Sequence, residues 1–106
     1  MAKVHIAPEA DRDITEIFEY LLEAEGLEVA KKLVETLDEA IRSLHSLPRR
    51  GKYPPEFQTK GITLFREIQC YPWRVFYRVV DEEVWILAVL DGRRNIAQLL
   101  PKRLVL

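Results

Sequence analysis

The spacing of apolar residues changes twice along the chain, and each change predicts a change of structure. Lys3-Val4-His5-Ile6 alternates polar and apolar positions, the pattern of a short strand. Pro8 then occupies a first helical position, with Glu9, Asp11 and Asp13 near the positive end of the helix dipole. Ile14, Ile17, Phe18, Leu21 and Leu22 share one helical face, and Gly26 can take the left-handed conformation that ends such a segment. A second series, Val29, Ala30, Leu33, Leu37, Ala40, Ile41, Leu44 and Leu47, keeps the helical period until Pro48. Two amphipathic helices joined by so short a turn form an antiparallel hairpin.

Residues 48–61 break the pattern with Arg49, Arg50, Gly51, Lys52, Pro54 and Pro55, and read as a basic loop. Beyond it the period becomes two. Strands are predicted over Ile62–Cys70, Trp73–Val80 and Val84–Leu90, separated by Tyr71-Pro72 and Asp81-Glu82-Glu83, so they form an antiparallel meander. The last of them is apolar at both parities, which requires cover on both faces and places it centrally, beside the N-terminal strand. Asn95–Leu106 reads as a short helical turn followed by an extended tail. The expected architecture is α+β, β-α-α-β-β-β, in one domain spanning 1–106. A helical hairpin packs on one face of a mainly antiparallel four-stranded sheet, and the other face is left open. In the strand Trp73–Val80, Val75, Tyr77 and Val79 face the helices, and Arg74, Phe76 and Arg78 look outward.

With 106 residues, 48% hydrophobic and 31% charged, the chain matches a globular domain and excludes disorder, collagen and a membrane span. The net charge of −1 conceals a split. Residues 1–41 carry four Lys/Arg against eleven Asp/Glu, and residues 42–106 carry twelve against six. One side of the fold is thereby suited to an anionic partner. The single cysteine, Cys70, has no intramolecular partner, and His5 and His45 lack zinc-site spacing, so neither metal nor cofactor is expected. The start Met1-Ala2-Lys3-Val4-His5 does not have the look of a secretory signal, and the expected location is the cytoplasm. No glycine-rich phosphate loop and no nucleophile elbow is present.

What remains is basic. Arg74 and Arg78, with Arg93 and Arg94 after Gly92, are expected to converge, joined by Arg49, Arg50 and Lys52 from the loop. Guanidinium groups bind phosphate or carboxylate through paired hydrogen bonds, so the cluster would hold one anionic guest. Arg78 has a structural alternative, covering apolar surface with its stem. Arg66 shares parity with Ile68 and is expected to take a structural role, paired with a carboxylate or marking a bulge.

The stretch Tyr71 to Arg94, YPWRVFYRVVDEEVWILAVLDGRR, resembles the RelE/ParE superfamily of toxins from bacterial type II toxin-antitoxin systems. Members share an arginine- and tyrosine-bearing strand, an acidic turn, an apolar strand and a Gly-Arg-Arg-like ending. The resemblance implies a plasmid-stabilisation type toxin that arrests growth, is neutralised by a cognate antitoxin and forms a toxin-antitoxin hetero-oligomer. It also implies one of two targets. ParE-like members inhibit DNA gyrase without being hydrolases, whereas RelE-like members are metal-independent endoribonucleases that cut mRNA on the translating ribosome. A remnant that only binds antitoxin is a third reading.

If the chain is an endoribonuclease, Arg74 and Arg94 match the family's catalytic arginines. The outward lysines of the RelE second strand are replaced by Phe65 and Glu67, and the C-terminal tyrosine position falls near Leu100. A carboxylate at Glu67 opposes stabilisation of a phosphorane, which favours the ParE-like reading. Target or antitoxin binding is assigned to Arg74, Arg78, Arg93, Arg94 and Phe76, and Arg74→Ala is expected to reduce toxicity without unfolding.

Overall fold

In the computed structural model, which describes residues 1–104, a four-stranded sheet carries helices on both faces. Strand β1 (Lys3–Ile6) leads into α1 (Pro8–Glu25) and α2 (Leu27–Arg42). A one-turn helix α3 (Pro55–Gln58) precedes β2 (Arg66–Cys70), β3 (Trp73–Val80) and β4 (Glu83–Asp91), and α4 (Ile96–Arg103) follows. The sheet order is β1-β4-β3-β2, with β1 parallel to β4 and the other pairs antiparallel. This is the expected β-α-α-β-β-β order on a mainly antiparallel sheet, and β4 is central as its double apolar parity requires.

The α1–α2 hairpin packs on the face that carries Ile68, Val75, Tyr77, Val84, Ile86 and Val89, meeting it with Ile17, Leu37 and Ile41. Gly26, at φ 98°, makes the break between the helices, and its N–H donates to the Leu21 and Leu22 carbonyls.

The opposite face is not open, which corrects the expectation for it. Phe57 of α3, Phe65, and Ile96, Leu100 and Leu104 of the C-terminal segment cover Phe76, Ala88 and Leu90. Phe76 is fully buried there, so it does not look out to solvent. Burial of a side chain of that size stabilises the fold by about 1.5–3 kcal/mol. The cover comes from the two segments whose short helices carried the weakest pattern. Asn95 caps α4 by accepting from the Gln98 N–H, and residues 105–106 of the expected tail lie outside the described residues.

Two boundaries also differ from expectation. The second strand begins at Arg66, not Ile62, because Phe65 and Ile62 turn into the second core. The β3–β4 connection is a two-residue turn, Asp81-Glu82, with Val80 paired to Glu83. Both turn residues have positive φ, 51° and 63°, a conformation that matches the twist of a hairpin but suits glycine and asparagine better. Exchange of Asp81-Glu82 for Asn-Gly is expected to raise stability by about 1 kcal/mol. Urea unfolding should show this as a higher midpoint at unchanged slope.

Candidate functional site

Antiparallel pairing of β2 with β3 sets Gln69 opposite Arg74 and Glu67 opposite Phe76. Glu67 is therefore the diagonal neighbour of Arg74 on the same sheet face. Helix α3 delivers a second carboxylate, Glu56, to the same arginine. Arg74 Nη1 and Nη2 donate to the two Glu56 oxygens, each at 2.8 Å. Its Nε donates to Glu67 Oε1 at 3.2 Å, and Nη2 also bonds Glu67 Oε2. The Arg74 side chain is 12% exposed and that of Glu67 is 0% exposed. Gln69 Nε2 donates to Glu67 Oε1 at 3.2 Å, and Lys52 Nζ lies 3.9 Å from the same oxygen.

Two glycines make close approaches around this cluster. A Cβ on Gly92 would stand 3.0 Å from Arg74 Cδ, so the end of β4 lies directly against the arginine stem. A Cβ on Gly51 would meet Tyr77 Oη at 2.6 Å, where the Gly51 N–H instead donates to that oxygen at 2.9 Å. Arg66 holds the same loop. It donates to the carbonyls of Arg49 and Gly51 and to Tyr53 Oη, and its guanidinium sits 4.6 Å from the centre of the Tyr53 ring. The expected structural role of Arg66 is thus realised through carbonyl groups in place of a carboxylate.

The charges respond to this geometry. Hydrogen bonds from Arg74 hold the Glu56 carboxyl below its ordinary value, and the hydrogen bonds to Glu56, with those to Glu67, raise the arginine still further above neutrality. Lys52 and Arg74 are balanced by Glu56 and Glu67, leaving the cluster without net charge.

The four candidate arginines do not form one cluster. Arg74 and Arg93 line a groove of about 330 Å³, and Arg93 and Arg94 line a second of about 400 Å³ on the α1 side. Arg78 lies four residues further along β3, about 13 Å away at strand spacing. It lines a third groove with Phe65, Trp85 and Leu104. Arg93 is engaged by Asp91 through Nε at 2.9 Å and Nη2 at 2.7 Å. Arg78 and Arg94 make no ion pair among the described residues. Loop residue Lys52 reaches the Arg74 groove, whereas Arg49 faces the β3–β4 turn through Glu82.

Glu56 was hidden from sequence reasoning because α3 lies in a stretch that reads as loop. The partnership of Glu67 with Arg74 carried a usable signal in strand parity, which places the two on one face once the Tyr71-Pro72 turn sets the register. Among the described residues no group of three or more His, Cys, Asp or Glu side chains is placed to hold a metal ion, and no helix is long and apolar enough to cross a membrane.

A helical hairpin on a β1-β4-β3-β2 sheet, with an arginine at the mouth of β3 and a Gly-Arg-Arg turn beside it, is the layout of the RelE/ParE class of toxins. The family described as ParE toxin of type II toxin-antitoxin system, parDE, matches residues 4–96, and the chain belongs to it. Toxin ParE3 of Caulobacter vibrioides is 32% identical over 91 residues, covering 86% of this chain and 87% of that protein. A solved structure described as the chromosomal ParDE TA system from P. aeruginosa has the same fold. Its TM-score is 0.70 at 22% identity, over 86% of this chain and 96% of the other. The protein is thus a toxin of the type II toxin-antitoxin class.

The buried carboxylate alters what an arginine substitution reports. Arg74→Ala takes the cation in bonding contact from buried Glu67, leaving it the Gln69 amide and the more distant Lys52, and is expected to destabilise the fold by about 3 kcal/mol. Adding Glu67→Gln in that background should recover part of the loss, measured by urea unfolding. Acid exposes the Glu56 contribution separately. Because its folded pKa is lowered, the Glu56–Arg74 pair stabilises the fold above the ordinary value of 4.5 and loses that contribution as pH falls through the folded value. Thermal unfolding of Glu56→Gln should accordingly show a shallower loss of stability between about pH 5 and pH 3.

Proposed function

We propose that this toxin acts by engaging DNA gyrase, that residues 1–106 work as one domain in the cytoplasm, and that an antitoxin neutralises it within a hetero-oligomer. The observation that carries the target assignment is the state of Arg74. Four of the five N–H donors of a guanidinium are satisfied here by Glu56 and Glu67. Cleavage of RNA by the 2′-hydroxyl needs free cationic donors for the phosphorane and a group that moves protons. At this position the donors are occupied and two carboxylates would face the scissile phosphate. Glu56, held below its ordinary value, is a weak base at neutral pH. Arg94 alone does not supply the missing proton transfer, since a guanidinium offers donors and no acceptor.

The antitoxin partner follows the same electrostatic logic. The basic C-terminal portion of the chain, from residue 42 onward, favours an acidic amphipathic segment, and opposite charge accelerates association.

Purified toxin is expected to inhibit supercoiling by gyrase and to leave ribosome-bound mRNA intact. Induction without antitoxin should give filamentous cells with DNA-damage signalling. Rapid cleavage of translated mRNA with unaffected supercoiling would overturn the gyrase reading in favour of the endoribonuclease. Absence of growth arrest would leave only an antitoxin-binding remnant.

A further inference from the structure

The ridge formed by Trp73 and Arg93 separates two grooves, with Tyr71 on one side and Tyr20 on the other. These tyrosines are 85% and 65% exposed, and neither makes a side-chain hydrogen bond among the described residues. Arg93 lines the groove of each. Arg94 lines the Tyr20 groove and has no ion-pair partner among the described residues. The fold therefore makes little internal use of these tips, although the two grooves they line share Trp73 and Arg93. From this juxtaposition we infer that the Tyr71–Arg93–Arg94–Tyr20 end is the surface that grips the toxin's protein target, receiving a segment that presents a carboxylate to Arg94.

The inference rests on the reading of the protein as a target-binding toxin and supplies the surface it needs. Tyrosine and arginine dominate the energetics of protein interfaces, because they offer large contact area with few torsions to immobilise and a polar tip. The charge pattern selects protein over nucleic acid. Asp13, Glu16, Glu56 and Asp91 line the same two grooves as the basic residues. In the Tyr20 groove Asp13, Glu16 and Asp91 match Arg93, Arg94 and Arg103 in number, so a phosphodiester chain finds no net attraction there, whereas a peptide segment can set a carboxylate on Arg94 and a donor on Glu16. Arg93, already paired with Asp91, orients the ridge between the two tyrosines.

The test uses the full chain carrying Arg94→Glu, and separately Tyr20→Ala with Tyr71→Ala, with Lys31→Glu on the exposed face of α2 as comparison. Circular dichroism establishes folding, calorimetry measures antitoxin affinity, and induced expression measures growth arrest. The expected result is loss of growth arrest in both surface variants, with gyrase inhibition about thirtyfold weaker. Antitoxin affinity should stay within about threefold of the parent, and Lys31→Glu should remain toxic. If one variant fails to fold, the other decides.

Undiminished toxicity in a folded surface variant overturns the inference. So does a matching loss of antitoxin affinity, which would give the surface to the antitoxin, or binding to a DNA duplex alone that disappears in Arg94→Glu. Loss of growth arrest in the variants when the parent does not inhibit gyrase supports the surface and overturns only the choice of target. A parent chain that arrests no growth overturns both.

Discussion

The pairing of Arg74 with Glu56 and Glu67 is the constraint on which the basic half of the molecule depends. A carboxylate as buried as Glu67 is tolerated only with a cation in bonding contact, and Arg74 is that cation. The same arginine reaches to Glu56 and thereby ties α3 to the sheet. Its stem fills the space that Gly92 leaves vacant. One side chain thus joins the loop helix, two strands and the Gly-Arg-Arg turn. In this fold Arg74 serves as an internal brace.

A second ion pair performs a related task at the other helix. Strand β1 ends before β4 does, leaving the Val89 N–H without a strand partner, and Asp13 Oδ2 of α1 accepts from it at 2.9 Å. Arg103 of α4 donates to both oxygens of Asp13, at 3.1 and 2.7 Å. The hairpin face and the α4 face of the sheet are therefore linked around its edge by Asp13. Such contacts locate the C-terminal helix more specifically than its few apolar residues do.

The distribution of charge gives a physical reason for separating binding from catalysis. Internal acids neutralise Arg74 and Arg93, so the net basicity of residues 42–106 does not translate into a phosphate cradle. Arg78 and Arg94 make no ion pair among the described residues and line separate grooves, each with an exposed aromatic side chain, Trp85 and Tyr20 respectively. That arrangement suits recognition of mixed-charge protein surfaces.

Periodicity by itself determined the helical hairpin, the meander, the centrality of β4 and the face on which Val75 and Tyr77 pack. Those features follow from local backbone repeat and from the exclusion of apolar side chains from water, both readable along a single chain. The double apolar parity of Val84–Leu90 even implied cover on both sides, in conflict with the open face expected around Phe76. Only the tertiary structure decided what supplied that cover, because α3 and α4 are too short for a strong periodic signal and are held by contacts distant in sequence. It likewise decided that Arg74 is a brace and that Tyr20 and Tyr71 flank Arg93. Ion pairing and surface juxtaposition depend on distances across strands and helices, which residue order does not specify until the chain has folded.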